Sequence, residues 1–302
     1  IFKNKYERNL KLIGKDNLAF PEDVQMNITN LCNLKCQMCS GDNSSKLLIE
    51  NNALGYEELN QKDYDLKDID YEKILNLVKH DLKLLKILGG EPFFNPRVIK
   101  FLELLVENGK AKDIKLHITT NGTICNDKIL SLLKKFKDLR IVFSVDGWGK
   151  CNEYMRFPSS WEVISNNIKT FKNNLVNAYI MINCVVQNLN VLYVDQLLKF
   201  ANQNEIFIKL DMVLEPDWLH LSILPKNVLS MAHKKLSSIK DEDLLHTDNV
   251  KEIINLLGQH INNYKLDEDK YKNFIDMINK RDNYRKVHIK DYMPELAEEI
   301  LK

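Results

Sequence analysis

Along the first two thirds of the chain, short stretches of alternating or continuous apolar residues are separated by longer stretches with apolar positions three or four apart. The short runs "DVQMNIT", "LLKILGG", "IKLHITT", "LRIVFSV", "AYIMINCVV" and "FIKLDMV" predict six strands. Between them the spacing predicts helices, for example through Ile74, Leu77 and Val78 before the second strand and Ile164, Ile168 and Phe171 before the fifth. Strands alternating with helices specify an α/β fold with a parallel sheet. Six such units fall short of a closed barrel of eight, so the expected architecture is an open, partial (βα)6 barrel with its functional loops at the strand C-termini.

From about Leu219 the strand signal fades, and "KNVLSMAHKKLSSI", "NVKEIINLLGQHINNY" and "KYKNFIDMINK" predict a mainly helical C-terminal region. The expected organisation is an N-terminal extension (1–22), a partial-barrel core (23–216) and a helical appendage packed on it (217–302). The stretch from Ser40 to Asp70 follows neither period and exceeds ordinary loop lengths, which predicts an irregular segment. It is a candidate lid or substrate contact, with a surface insertion as the plainer alternative. No internal repeat is evident.

Composition narrows the function classes. A chain of 302 residues with 44% hydrophobic content can bury a substantial core, and no apolar run approaches a membrane span. With 43 basic against 42 acidic residues the net charge is +1, which argues against nucleic acid or an anionic membrane as a partner. Six cysteines without a secretory signal at the start predict a reducing, cytoplasmic setting and metal or redox use. The chain opens at Ile1 rather than Met, which leaves room for residues upstream.

The cysteines supply the chemistry. "CNLKCQMC" places Cys32, Cys36 and Cys39 within eight residues, just past the first strand. Thiolates are the ligands that iron-sulfur clusters require, and three of them on a four-iron cluster leave one iron open to a small molecule. The alternative is zinc completed by a remote residue, but the nearest following histidine is His80 and none has finger-like spacing. A second motif, "ILGGEPFF", ends the second strand with Gly89, Gly90, Glu91 and Pro92. Glycines there would let backbone carbonyls approach a ligand, and the acid would complement an ammonium group.

With its C-x3-C-x2-C triad and strand-ending GGEP, the chain from about Asp23 to Pro216 resembles the radical S-adenosylmethionine (radical SAM) enzymes. The resemblance implies a 4Fe-4S cluster on Cys32, Cys36 and Cys39, with S-adenosylmethionine chelating the open iron through its amino and carboxylate groups. It further implies reductive cleavage to a 5'-deoxyadenosyl radical that abstracts hydrogen from a substrate. Such an enzyme needs an external one-electron donor such as flavodoxin or ferredoxin. Met38 stands where relatives usually carry an aromatic residue, and would contact adenine through its backbone. Glu91, Ser144 and Arg156 would hold the amino-acid end of the cofactor, with Ser144 reaching its carboxylate or ribose region and Asp146 close by. Asn121 of "TTNG" would point into the barrel, Asn183 would share the inward face with Met181 and Val185, and Leu214 would cover adenine.

The tail "RDNYRKVHIKDYMPELAEEI" resembles a "twitch" appendage, but no cysteine follows Cys184, so a single cluster is expected. Cys184 should face the helices as a small apolar residue. Cys125 and Cys151 follow the third and fourth strands, and Cys151 is a candidate hydrogen donor to a substrate radical. His117 is expected to be a satisfied interior imidazole. Lys209 and Asp211 are expected to point inward together, either paired with each other or contacting substrate. Two other readings stay open: a non-catalytic iron-sulfur scaffold or electron carrier, and a zinc-stabilised binding module. The substrate class, peptide, protein or sugar-like small molecule, is not specified.

Overall fold

The structure is a computed structural model that describes residues 21–27, 29–59, 75, 82–244 and 247–301. The expected strands form as β1 (Asp23–Asn27), β3 (Leu84–Leu88), β4 (Lys115–Thr120), β5 (Asp138–Ser144), β7 (Ala178–Val186) and β8 (Phe207–Met212). All pair in parallel with their neighbours in that order. A further strand, β9 (Thr247–Asp248), extends the sheet beside β8. The order runs from β1 to β9 without closing, which is the open partial barrel. Two further strands, β2 (Lys35–Cys36) and β6 (Arg156–Phe157), form a separate antiparallel pair.

Strand alternation divides the sheet into two faces. Leu85, Ile87, Leu116, Ile118, Ile141 and Phe143 are buried in one continuous core with residues of the flanking helices, and Cys184 lies there as expected. The opposite, concave face carries half-buried polar residues such as Lys86, His117, Arg140, Ser144 and Asn183. Helix α2 (Pro96–Glu107) starts with proline in its first turn and an Asn95 cap whose side chain accepts from the Arg97 N–H at 2.9 Å. It buries Val98, Phe101, Leu102 and Leu105 at helical spacing. Helix α5 (Trp161–Asn174) buries Ile164, Ile168 and Phe171, the stripe expected from the sequence. Ile74, Leu77, Val78 and His80 lie outside the described residues, as do 1–20 and 60–70.

The stretch after the cysteines is not wholly irregular. Ser45–Ala53 forms helix α1, capped by Ser44, whose Oγ accepts from the Leu47 N–H at 3.1 Å. The helix was hidden because its buried face is Leu47, Glu50 and Asn51, two of them polar, so no apolar stripe marks it.

The C-terminal region is helical as expected, apart from β9. Its helices α7 (Lys226–Ser237), α8 (Val250–Asn262), α9 (Glu268–Arg285), α10 (Ile289–Tyr292) and α11 (Pro294–Ile300) bury Leu229, Leu257, Phe274, Ile289 and Leu296 in the same core as the sheet. Among the described residues no helix is long and apolar enough to cross a membrane.

Candidate active site

The three cysteines sit at the C-terminal end of β1 on a loop fixed from several sides. Pairing of β2 with β6 sets Cys36 opposite Arg156, and the Gln37 N–H donates to Met155 O at 2.8 Å. Ser44 Oγ donates to Leu34 O at 2.6 Å, and the Ser45 N–H donates to Asn30 O at 2.7 Å. Cys32 and Cys36 are buried, Cys39 is half-buried, and all three are free thiols.

The GGEP turn docks directly on this loop. The Gly90 N–H donates to Thr29 O at 2.7 Å, and the Glu91 N–H donates to Leu31 O at 2.9 Å. A Cβ at Gly90 would come within 2.3 Å of Leu31 O, so the bare backbone here admits the cysteine loop itself. Gly89 has φ 111°, a conformation that side-chain-bearing residues rarely adopt. Pro92 is buried and opens a short 3-10 turn (Pro92–Phe94).

Glu91 is fully buried, and its carboxylate accepts from the Phe93 N–H at 3.1 Å, Thr120 Oγ1 at 2.7 Å and the Asn121 N–H at 2.6 Å. Burial nevertheless pushes its pKa up to about 7, against the pull of those donors. It therefore ties "GGEP" to "TTNG". Asn121 in turn donates to Asn33 Oδ1 at 2.9 Å and points its amide at Cys32 Sγ, 3.9 Å away. Thr120 was not singled out from the sequence, and its role follows from this contact.

Arg156 and Asp146 form a buried pair, with Nε 2.6 Å from Oδ2. Asp146 also accepts from the Val185 N–H at 2.8 Å, and Arg156 Nη1 lies 3.7 Å from Cys36 Sγ. The guanidinium thus stands between the Asp146 carboxylate and the Cys36 sulfur, rather than open to the mouth, and Asp146 is committed to it. Burial works against the Arg156 charge, but Asp146 and the cysteines outweigh it and hold it protonated. The Cys36 thiol is lowered, first by a hydrogen bond from Cys39 and then, against burial, by Arg156. Cys39 is raised by that same bond and by burial, and Cys32 rises to about 11 chiefly through burial.

A second clamp comes from far along the chain. On α9, Arg281 Nη1 donates to Gln37 O at 3.0 Å and to Gln37 Oε1 at 2.8 Å. Arg285 Nη2 donates to Lys35 O at 2.8 Å and to Glu50 Oε1 of α1 at 2.6 Å. Lys35 Nζ lies 2.8 Å from the same carboxylate. The two arginines therefore hold the carbonyls on either side of Cys36. Both fall within the tail run noted in the sequence, where a lone chain offers no sign of which residues they meet.

Ser144 and Asn183 pair in register on the concave face, half-buried at the mouth. Met38 packs against the cysteines and, with Cys39, Glu215, Trp218, Met277 and Arg281, lines a cleft of about 420 Å³. Leu214 stands 80% exposed after β8. Lys209 Nζ and Asp211 Oδ1 pair at 2.5 Å, the plainer of the two expectations.

Two further placements differ from expectation. Cys151, on α4 (Lys150–Met155), is 2% exposed in the main core, and a Cβ at Gly147 would meet its Sγ at 2.6 Å. Its thiol is packed in the core rather than on an open loop, which removes the exposed placement behind a donor role. His117 is not satisfied, because its buried Nε2 has no hydrogen-bond partner among the described residues.

Among the described residues no group of three or more His, Cys, Asp and Glu converges as a single-ion site would. A cubane binds its thiolates at separate corners and needs no such convergence. A trio of free thiols, two buried and one half-buried, with Cys36 lowered beside an arginine, fits that donor set.

Comparison with known proteins agrees with this geometry. The chain is 26% identical to a GTP 3',8-cyclase of Campylobacter fetus subsp. fetus, over 64% of this chain and 52% of that protein. It is 30% identical to the radical SAM cyclopropyl synthase TigE of Paramaledivibacter caminithermalis, over 63% of this chain and 41% of that one. In fold it is similar to Streptococcus suis SuiB, solved bound to S-adenosylmethionine, with a TM-score of 0.51 and 21% identity over 71% of this chain and 46% of that one. SuiB has also been solved bound to the precursor peptide SuiA. The chain thus spans about half the length of these relatives. The profile of the Radical SAM superfamily matches residues 26–201, which hold the cysteine triad, the GGEP turn and the Arg156 pair, and the chain belongs to that superfamily.

Proposed function

We propose that the protein is an enzyme that holds one 4Fe-4S cluster on Cys32, Cys36 and Cys39, binds S-adenosylmethionine beside it, and abstracts hydrogen from a substrate. The observation that carries this reading is the direct bonding of the GGEP turn and "TTNG" to the cysteine loop. A scaffold that merely held a cluster would not need those contacts. When bound, the cluster and S-adenosylmethionine supply a 5'-deoxyadenosyl radical by one-electron reduction, the electron coming from a donor such as flavodoxin or ferredoxin.

The chain's own residues position and protect these groups. Arg156 favours the thiolate form of Cys36, and Asp146 keeps the guanidinium charged and oriented. Glu91 fixes the turn whose main chain would face the amino-acid end of the cofactor, a positioning role rather than direct contact. Ser144 and Asn183 offer a hydroxyl and an amide at the mouth, while Met38 and Leu214 offer apolar surface to adenine. The loop buries the sulfurs of Cys32 and Cys36 and leaves Cys39 facing the cleft. By name one relative acts on a nucleotide and another has been solved with a peptide bound, and one scaffold hosts many reactions.

The test is anaerobic reconstitution with iron and sulfide, followed by S-adenosylmethionine and dithionite. Release of 5'-deoxyadenosine that disappears in Cys36→Ala is the expected result. A fully loaded cluster that releases none would overturn the reading.

A further inference from the structure

Below the mouth, the concave face carries a row of polar residues that the cofactor reading leaves without a task. Strand register places Lys86 of β3 beside His117 of β4, His117 beside Arg140 of β5, and Arg140 beside Tyr179 of β7. With adjacent strands about 4.8 Å apart, the three basic residues span roughly 10 Å across the sheet. Ser144 lies four residues above Arg140 on the same strand, so the row sits roughly 13 Å below the mouth.

Two atoms in this row are orphaned. His117 Nε2 and Arg140 Nε are buried without a hydrogen-bond partner among the described residues. Buried polar atoms are ordinarily satisfied, and two orphans on adjacent strands point to a missing acceptor. The local charge has the same sense. Burial first, and then Arg140, Lys115 and Lys86, depress the His117 pKa to about 4, against a weaker opposite pull from Asp138. Asp138 is drawn 3.2 Å from Lys115, and Asp23 lies 3.5 Å from Lys86, which leaves Arg140 without a carboxylate partner among the described contacts. The Arg140 guanidinium stacks 4.7 Å from the Tyr179 ring centroid, which orients its fork.

We infer that Lys86, His117 and Arg140 form an oxyanion site on the barrel floor that anchors a phosphate or carboxylate group of a small-molecule substrate. This deepens the functional reading above and rests on it, since the anchored molecule would present its far end to the chemistry at the mouth. An arginine fork supplies paired donors to such an anion, Lys86 adds a point charge, and neutral His117 adds a single N–H.

The experiment is anaerobic titration calorimetry of the cluster-loaded protein with pyrophosphate and with succinate at matched ionic strength. Binding of either probe is expected, weakened at least roughly tenfold in Arg140→Gln and in Lys86→Met, in keeping with loss of a charge-assisted hydrogen bond. Arg140→Lys, which keeps the charge but loses the fork, should weaken it less and guards against a folding defect in the glutamine variant. Tighter binding of pyrophosphate assigns a phosphate, and tighter binding of succinate assigns a carboxylate. Absence of binding by both probes, or affinities unchanged across all three variants, overturns the inference. Cys32→Ala should bind the probe as the parent does, so a failure of radical chemistry and a failure of the anion site are separately visible.

Discussion

Replacing Glu50 with glutamine should be among the most damaging single changes outside the cysteines. Its carboxylate is fully buried and faces Arg285 Nη2 at 2.6 Å, Lys35 Nζ at 2.8 Å and Arg281 Nε at 3.9 Å. The amide keeps the shape but removes the charge, leaving two nearly fully buried guanidiniums against a third cation. Breaking a buried ion pair from one side costs about 3–5 kcal/mol, because the remaining charge stays desolvated. For a chain of this size that corresponds to a fall in Tm of roughly 5–8 °C. Urea unfolding of the parent and the variant measures it directly. Adding Arg285→Met to Glu50→Gln should recover part of the loss, although Arg285 also donates to Lys35 O at 2.8 Å and that bond is not replaced. Burial alone would raise the Glu50 pKa, but Arg285 and Lys35 outweigh it and hold it below the ordinary 4.5. The stabilisation is therefore complete above that value and fades as the pH falls through the lowered pKa, where parent and variant should converge. A loss under about 1 kcal/mol at neutral pH would refute the reasoning, since exposed pairs are worth that little.

Further outcomes follow from other contacts. Gly90→Ala should lower iron content per chain and cost about 1–3 kcal/mol, because the obstructing atom is backbone; full loading at an unchanged Tm would contradict the docking described. Glu91 has the opposite pH sense to Glu50: its folded pKa is raised to about 7, so the native state holds the proton more tightly and stability from this group grows as the pH falls from about 7 toward 4.5. The margin of the parent over Glu91→Gln, followed by urea unfolding across that range, should widen at lower pH. Cys151→Ala should leave substrate turnover intact and cost about 1 kcal/mol through a small cavity; 5'-deoxyadenosine release that continues while product formation is lost would restore the donor role. Arg156→Lys keeps a charge but cannot bridge Asp146 and Cys36 together, so the midpoint potential of the loaded cluster should shift, which voltammetry detects.

The strands of the sheet core were legible because each carries either strict alternation or an apolar run bounded by turn residues, and burial on one face enforces the same period. The site motifs were legible because their residues lie close together in sequence. What escaped was joined across long separations or through polar burial. Helix α1 has no apolar stripe, β9 is two residues long, and Arg281 and Arg285 meet Gln37 and Lys35 from 244 and 250 positions away. The glycines were expected for the right reason of close approach, but at Gly90 the approaching group is Leu31 of the chain itself. Cys151 was misplaced because a loop position after a strand does not reveal which way the following helix turns its side chains.

The arginine clamp fixes an order of events during synthesis. The cysteine loop leaves the ribosome early, whereas the guanidiniums that grip its carbonyls are translated some 250 residues later. Until α9 has been made and folded back, a nascent chain carries three uncaged thiols, so any cluster held on them would be secured only after translation has passed Arg285.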